Sequence, residues 1–388
     1  MGWLLATILS LLFFVLFLFP VTAKDTVRGK IDRARRIADL SSRNLVDRLR
    51  ARAGPNTRLV QAFGVNNSFT TVDESIHRQF LRRALEIIKS ANAKRWVEAQ
   101  HLASETAAAL CCADGNVGGL NIEHICRVMC FVTALGLIFP TTRQTTFDYE
   151  RLNWITQTIN DLWVQSKSKG PQNDRLLSKL RDELQSLLPE ERDDPLALIL
   201  PAYETLWRVV LLTYVHVAFR HIDGDTKVML QEILKRFHDP EQVEFDSRMV
   251  RFSQEALRLY PPTKRIYRAS WFGAVAADVE SLHHGENIWG PDALEFRPSR
   301  FEALTRNQKD AFMPFGIGRH ACPASNSFAG KLIGILVVTL IKQLGTAESG
   351  TKIKFDDEEL DDECHVMAPL PTGRSVTKNW VVYPNPES

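Results

Sequence analysis

Phe315-Gly316-Ile317-Gly318-Arg319-His320-Ala321-Cys322-Pro323-Ala324 is a glycine-bearing loop that delivers one cysteine to the start of an apolar segment, residues 328–344. Unpaired N–H groups and the positive dipole end at a helix N-terminus favour a thiolate over a thiol. Gly316 and Gly318 permit close approaches that a Cβ would block, clearance that a flat ring lying over the loop would need. A thiolate on a thin, rigid loop is what an axial cysteine ligand of haem iron requires. The same residues also read as a buried cysteine beside a turn, and the rest of the chain decides between the two.

Upstream, Glu255-Ala256-Leu257-Arg258 falls in a segment of helical pattern, residues 246–259. Positions i and i+3 share a helix face, so carboxylate and guanidinium can meet there. Leu259-Tyr260-Pro261-Pro262 ends that helix, because a residue before proline avoids the α region. About forty residues on comes Phe296-Arg297-Pro298-Ser299-Arg300-Phe301, and the cysteine loop follows about twenty residues later.

Glu-x-x-Arg, Phe-x-Pro-x-Arg-Phe and Phe-x-x-Gly-x-x-x-Cys-x-Ala, in that order and spacing, resemble the cytochromes P450. The run Ile288-Trp289-Gly290-Pro291-Asp292-Ala293-Leu294-Glu295-Phe296 is similar to fungal microsomal members. The resemblance implies a mainly α fold with small β regions, and haem b held by Cys322 with Phe315 beside the sulfur. It implies a structural role for Glu255, Arg258 and Arg300, a buried network locking the cysteine loop in place. Gly318 is the loop glycine of the motif. His320 stands where the family usually has an arginine on a haem propionate, and Arg265 matches a second propionate contact. The family's Trp-x-x-x-Arg is not clearly present, since Trp96 is followed by Gln100. His77 and Arg82 are the nearest substitutes.

Residues 196–219 form an almost uninterrupted apolar run of 24 residues with Glu204 and Arg208 as its formal charges. A second membrane span would expose those groups to lipid, so a buried central helix is the better reading. It resembles the family's helix over the haem. Pro201-Ala202-Tyr203-Glu204-Thr205 then stands at the oxygen-binding motif, with Glu204 and Thr205 in a general-acid role and Pro201 bending the helix. Tyr203, in place of a small residue, is expected to narrow the oxygen groove. Helical periodicity also marks 76–91, 122–137 and 147–165, and short strands are expected at 264–267, 352–355 and 380–383.

Residues 3–19 are apolar apart from Thr7 and Ser10, and their seventeen positions span about 26 Å as a helix, near the lower limit for crossing a bilayer. Eleven Lys/Arg against four Asp over residues 24–58 place the following domain on the cytoplasmic side and offer a contact with anionic headgroups. A cleavable signal peptide is the rival, with Val21-Thr22-Ala23 as its site. The expected organisation is an anchor over 1–23, a basic amphipathic linker or helix over 24–60, and a haem domain over 61–388. The N-terminal strands usual in the family find no room before residue 61. A net charge of +2 gives no reason to expect nucleic acid, and six cysteines in 388 residues make no disulfide framework.

The resemblance thus points to a single-pass endoplasmic-reticulum monooxygenase acting on a hydrophobic small molecule, with fungal secondary metabolites as the expected pool. No flavin or nucleotide motif is present, so electrons would come from an NADPH–cytochrome reductase, with cytochrome b5 as a further partner. Two alternatives use the same cysteine: an isomerase, dehydratase or peroxygenase that needs no reductase, and a non-catalytic haem-binding protein.

Overall fold

The computed structural model describes residues 26–113, 119–139, 147–168, 173–237, 246–271, 273–325, 327–362 and 370–385. The expected anchor at 1–23 lies outside them. Three helices, Ile122–Ile138, Leu206–Phe219 and Phe328–Leu344, supply much of the main core. Their sequences are predominantly apolar, as a helix largely enclosed by others requires. The run Ile335-Leu336-Val337-Val338 is wholly buried, each side chain contributing roughly 1.5–3 kcal/mol by leaving water. The two helical stretches apolar enough to cross a membrane among the described residues, Leu196–Phe219 and Phe328–Ser349, are mostly enclosed by protein.

Helix Ser247–Leu259 starts at Asp246, whose carboxylate accepts from the Arg248 and Met249 backbone N–H groups, and stops at Tyr260 before the two prolines. It crosses helix Phe328–Leu344 at Gly334, where a Cβ would collide with the Met249 side chain. Beside that crossing Ser253 Oγ donates to Gly330 O at 2.7 Å. This packing joins the Glu-x-x-Arg helix to the helix that follows the cysteine loop.

Strands β1 (Leu120–Asn121), β4 (Lys352–Lys354) and β5 (Val381–Tyr383) form a sheet of order β1-β5-β4, with Val382 opposite both Leu120 and Ile353. Strands β2 (Arg265–Ser270) and β3 (Gly273–Asp278) form an antiparallel hairpin. The strands expected at 264–267, 352–355 and 380–383 fall on β2, β4 and β5. Strand β3, Gly-Ala-Val-Ala-Ala-Asp, has little intrinsic strand preference and is extended because β2 pairs with it along its length.

Residues 27–63 carry no strand. Helix Val27–Ala38 is capped by Thr26 and buries Ile31, Ala34 and Ala38 against Ile266, Ala277, Val279 and Met313 in a second, smaller core. Arg28 pairs with Asp310 at 2.6 Å. Helix Leu45–Ala53 follows, capped by Asn44, with Leu49 fully buried. The charge pattern offers the basic residues of this stretch to lipid headgroups, yet Arg48 and Arg52 are buried in protein.

The central helix is two pieces, Leu196–Tyr203 and Leu206–Phe219, with Glu204 and Thr205 in the turn between them. Pro201 has no N–H for the Ala197 carbonyl, which loosens the ladder where the bend was expected.

Candidate functional site

The cysteine loop folds on its own backbone. Gly316 N donates to Met313 O at 3.0 Å, Cys322 N to Phe315 O at 2.9 Å, and Ser325 N to Cys322 O at 3.1 Å. Gly316 and Gly318 sit at φ +70° and +71°, conformations that side chains disfavour. The clearance at Gly318 is used by the chain itself, since a Cβ there would strike the Asp39 carboxylate and Ser41 Oγ. Cys322 stands six residues ahead of helix Phe328–Leu344, and a short 3-10 turn, Pro323–Ser325, intervenes. The expected fall in thiol pKa therefore does not arise. Burial pushes the Cys322 thiol up, against the opposing pull of the Ala324 N–H and the Arg52 charge. A bound cation is what would hold it as thiolate.

Glu255, Arg258 and Arg300 come together as expected. Arg258 donates two bonds to Glu255, Nε to Oε2 at 2.7 Å and Nη2 to Oε1 at 2.8 Å. Arg300 Nε and the Arg297 backbone N–H complete Glu255 Oε1 at 3.0 and 2.9 Å. Arg258 also donates to His283 O and Ala293 O at 2.7 and 2.6 Å, and Arg300 Nη2 to Asp292 O at 2.9 Å. Glu255 and Arg258 are completely enclosed, so these bonds replace the water each charge has lost.

The network reaches the cysteine loop through His283, which sequence reading passed over. Its Nε2 accepts from the Met313 backbone N–H at 3.1 Å, which leaves Nδ1 protonated to donate to Arg258 O at 3.1 Å. Burial and then the Arg258 charge push His283 down to about 3, so the ring is neutral. Met313 lies two residues before Phe315, at the base of the loop. The adjacent pair His283-His284 was the legible signal, but nothing in a sequence says which histidine turns inward.

Cations gather around Cys322. Arg52 lies 3.5 Å from His320 Nδ1, donates to Ser68 Oγ at 3.1 Å, and stacks 4.0 Å over the Phe69 ring. Ser68 Oγ is 2.8 Å from His77 Nδ1, and the His77 and His320 rings meet edge to face at 5.6 Å. Burial, then Arg52, His77, Arg48 and Arg268 in turn, pushes His320 to about 3. Among the described residues no carboxylate pairs with Arg48, Arg52 or Arg268, and the buried His320 Nε2 has no partner. His77 is thus part of the cluster around His320. Arg82 and Arg319 are exposed, and Arg265 is exposed and paired with Asp278 at 3.0 Å. Arg268, three residues along β2, turns inward instead and donates to Ala38 O at 3.3 Å. The i, i+4 spacing of Arg48 and Arg52 beside Leu49 was the legible clue to this cluster.

At the central helix Glu204 is almost wholly buried and held by Arg374, Nη2 to Oε2 at 2.7 Å with a second contact from Nη1 to Oε1. Arg374 comes from the C-terminal segment and carried no motif. Tyr203 points the other way, into Phe131 at 5.2 Å between ring centroids, so it does not narrow a groove beside Thr205. Thr205 lines a small cleft of about 10 Å³ with Arg208, Val209, Leu212, Tyr260, Pro261 and further residues.

This fold is that of the cytochromes P450, and residues 274–362 match the family described as Cytochrome P450. A ginseng (Panax ginseng) protein, Cytochrome P450 CYP749A22, is 37% identical over 115 residues, covering 26% of this chain and 22% of its own length. Cytochrome P450 72A397 of Kalopanax septemlobus is 32% identical over 142 residues, 31% of this chain and 26% of that protein. The chain thus matches only about a quarter of the length of these curated relatives. Over the whole fold it is similar to Cytochrome P450SP alpha (CYP152B1) in complex with (R)-ibuprophen, at a TM-score of 0.61, 14% identity, and coverage of 92% and 89% of the two chains. Proteins of this family hold haem through a cysteine thiolate. The residues here fit that group: a half-buried thiol on the loop, and beside it guanidinium groups without carboxylates, suited to a dianionic edge.

Proposed function

We propose that this chain is a haem-thiolate monooxygenase: RH + O₂ + 2e⁻ + 2H⁺ gives ROH + H₂O, with a hydrophobic small molecule as RH. One observation carries the reading: the Glu255–Arg258–Arg300 network is coupled through His283 to the loop bearing Cys322, opposite unpaired cations. Haem, when bound, supplies the activation of dioxygen. Cys322 would be its axial ligand, and Phe315 would hold the Cys322 N–H from beside it. Arg48, Arg52 and Arg268, with His77 and His320, would take the propionates. Thr205 would hold a proton at the turn in the central helix. Electrons would come from a separate NADPH–cytochrome reductase, with cytochrome b5 as an accessory donor. A Bacillus subtilis relative named Bifunctional cytochrome P450/NADPH–P450 reductase 2, 37% identical over 81 residues, carries both parts in one chain. Residues 1–23 would anchor the domain to the cytoplasmic face of the endoplasmic reticulum. The Trp289-Gly290-Pro291 run supports a place in fungal secondary metabolism.

The test is a reduced carbon monoxide difference spectrum. A Soret band at the thiolate-ligated position, lost in Cys322→Ala, supports the reading, and a wild-type protein that takes up no haem sinks it. The Glu204–Arg374 pair favours a second reading, turnover without a reductase. Both carboxylate oxygens of Glu204 are occupied, which impedes the proton relay that reductive oxygen activation needs. Product formed with hydrogen peroxide but not with NADPH and reductase would select that reading.

A further inference from the structure

Trp271, at the tip of the β2–β3 hairpin, is fully exposed, and Tyr267 and Val275 on the same hairpin are exposed as well. Residues 269–277, Ala-Ser-Trp-Phe-Gly-Ala-Val-Ala-Ala, carry no formal charge. Helix Val27–Ala38 packs against Ile266 and Ala277 at the base of the hairpin. Beyond that contact the residues of β3 from Gly273 to Ala276 are all exposed.

The register fixes which backbone groups of β3 are unused. Val279 N donates to Lys264 O at 2.8 Å, so Lys264 and Val279 form a hydrogen-bonded pair at the end of the ladder. Alternation along the register then turns Ala277, Val275 and Gly273 toward β2 and leaves the N–H and C=O of Ala274 and Ala276 pointing outward. Among the described residues no hydrogen bond reaches those outward groups. The edge also lacks the devices that usually blunt one, since no lysine, proline or bulge interrupts the six residues of β3. A lipid surface would suit Trp271 but would leave the outward N–H and C=O groups without partners. An added strand satisfies them.

We propose that β3 is the docking edge for a second copy of this chain, the two β3 strands running antiparallel about a two-fold axis at Val275. In that register Ala274 of each copy pairs with Ala276 of the other, so every outward N–H and C=O of both residues is used. The strand suits itself in charge and in size. Arg265 and Asp278, at the far end of the hairpin, are paired with each other at 3.0 Å, so no unpaired charge faces its twin, and the alanines let the backbones meet. The Val275 side chains meet across the axis, and Trp271 falls opposite Val279 of the other copy. The two hairpins then make one four-stranded sheet, stabler than either alone. A strand pair this short buries less than the roughly 1,200–2,000 Å² of a standard interface, so the dimer is concentration-dependent. None of this rests on the oxygenase reading above.

Sedimentation velocity of the full chain in mild detergent, across a concentration series, should show a monomer–dimer equilibrium. Ala276→Pro removes an outward N–H and keeps the ladder to β2, so it should weaken the dimer about tenfold, a ratio equal to about 1.4 kcal/mol. Val275→Lys sets like charges against each other on the axis and should abolish the dimer. Val275→Cys brings two thiols together at a non-hydrogen-bonded pair, whose Cα separation of about 4.5 Å suits a disulfide. Copper-phenanthroline in air should link these copies, each pair of thiols giving up its hydrogens to oxygen, faster than it links wild type through the native cysteines. Trp271→Cys, off the axis, should link no faster than wild type. If Ala276→Pro fails to fold, as judged by circular dichroism, the Val275 variants leave the backbone unchanged and carry the test. A monomer at every concentration, a dimer untouched by Ala276→Pro and Val275→Lys, or V275C linking no faster than wild type would overturn the proposal.

Discussion

His283 stands between two buried systems, accepting from Met313 N–H and donating to Arg258 O. His283→Ala removes both partners at once and leaves a buried N–H unsatisfied, a loss of about 1–3 kcal/mol. Urea unfolding should read that loss, and haem retention should fall with it because Met313 anchors the cysteine loop. Arg258→Met is expected to be worse, roughly 3–5 kcal/mol, since Glu255 then keeps its charge in a water-free site. A midpoint within error of wild type would show that Glu255 finds other partners. Arg52→Gln tests the cation cluster from outside the loop, which Arg52 meets at His320. Haem should dissociate faster into apomyoglobin while the thiolate spectrum of the fraction still loaded stays unchanged. These residues differ in legibility. Glu255, Arg258 and Arg300 could be read because they sit at fixed spacings in a motif. Arg268 and Arg374 could not, because an isolated arginine carries no sign of whether it faces water.

Among the elements, the crossing of helices Ser247–Leu259 and Phe328–Leu344 depends on Gly334, whose missing Cβ is the space the Met249 side chain fills. Gly334→Val should overpack it, lowering stability by about 1–3 kcal/mol, and Met249→Ala in the same chain should restore part of the loss. Additive losses in the double variant would place the strain elsewhere. The central helix was legible as one apolar run, and its bend was announced by Pro201. Its partner was not. Glu204 reads as an acid at the reaction centre until Arg374, 170 residues away, closes on it. The same holds for β3, which is a strand only because β2 lies beside it.

For the whole molecule, acid is the informative variable. His283 and His216 are both pushed to about 3, each chiefly by burial, and each uses a ring nitrogen inside the core. In the unfolded chain a histidine titrates near 6.5, so between that value and about 3 the unfolded state binds more protons. Stability is therefore complete above pH 6.5 and falls as pH drops toward 3. Thermal midpoints should decline from pH 7 to pH 4, and a flat profile would mean that the two rings are protonated in place. The resemblance to the cytochromes P450, the candidate cysteine and the Glu255–Arg258 pair were legible in the sequence alone, because each depends on local spacing: a glycine loop, an i, i+3 ion pair, a proline stop. Which cations face the cysteine, that the basic N-terminal helices belong to the folded domain, and that Glu204 is bound rather than free were decided only by tertiary structure. Those outcomes depend on desolvation and on charges brought together from distant parts of the chain, and a linear sequence records neither.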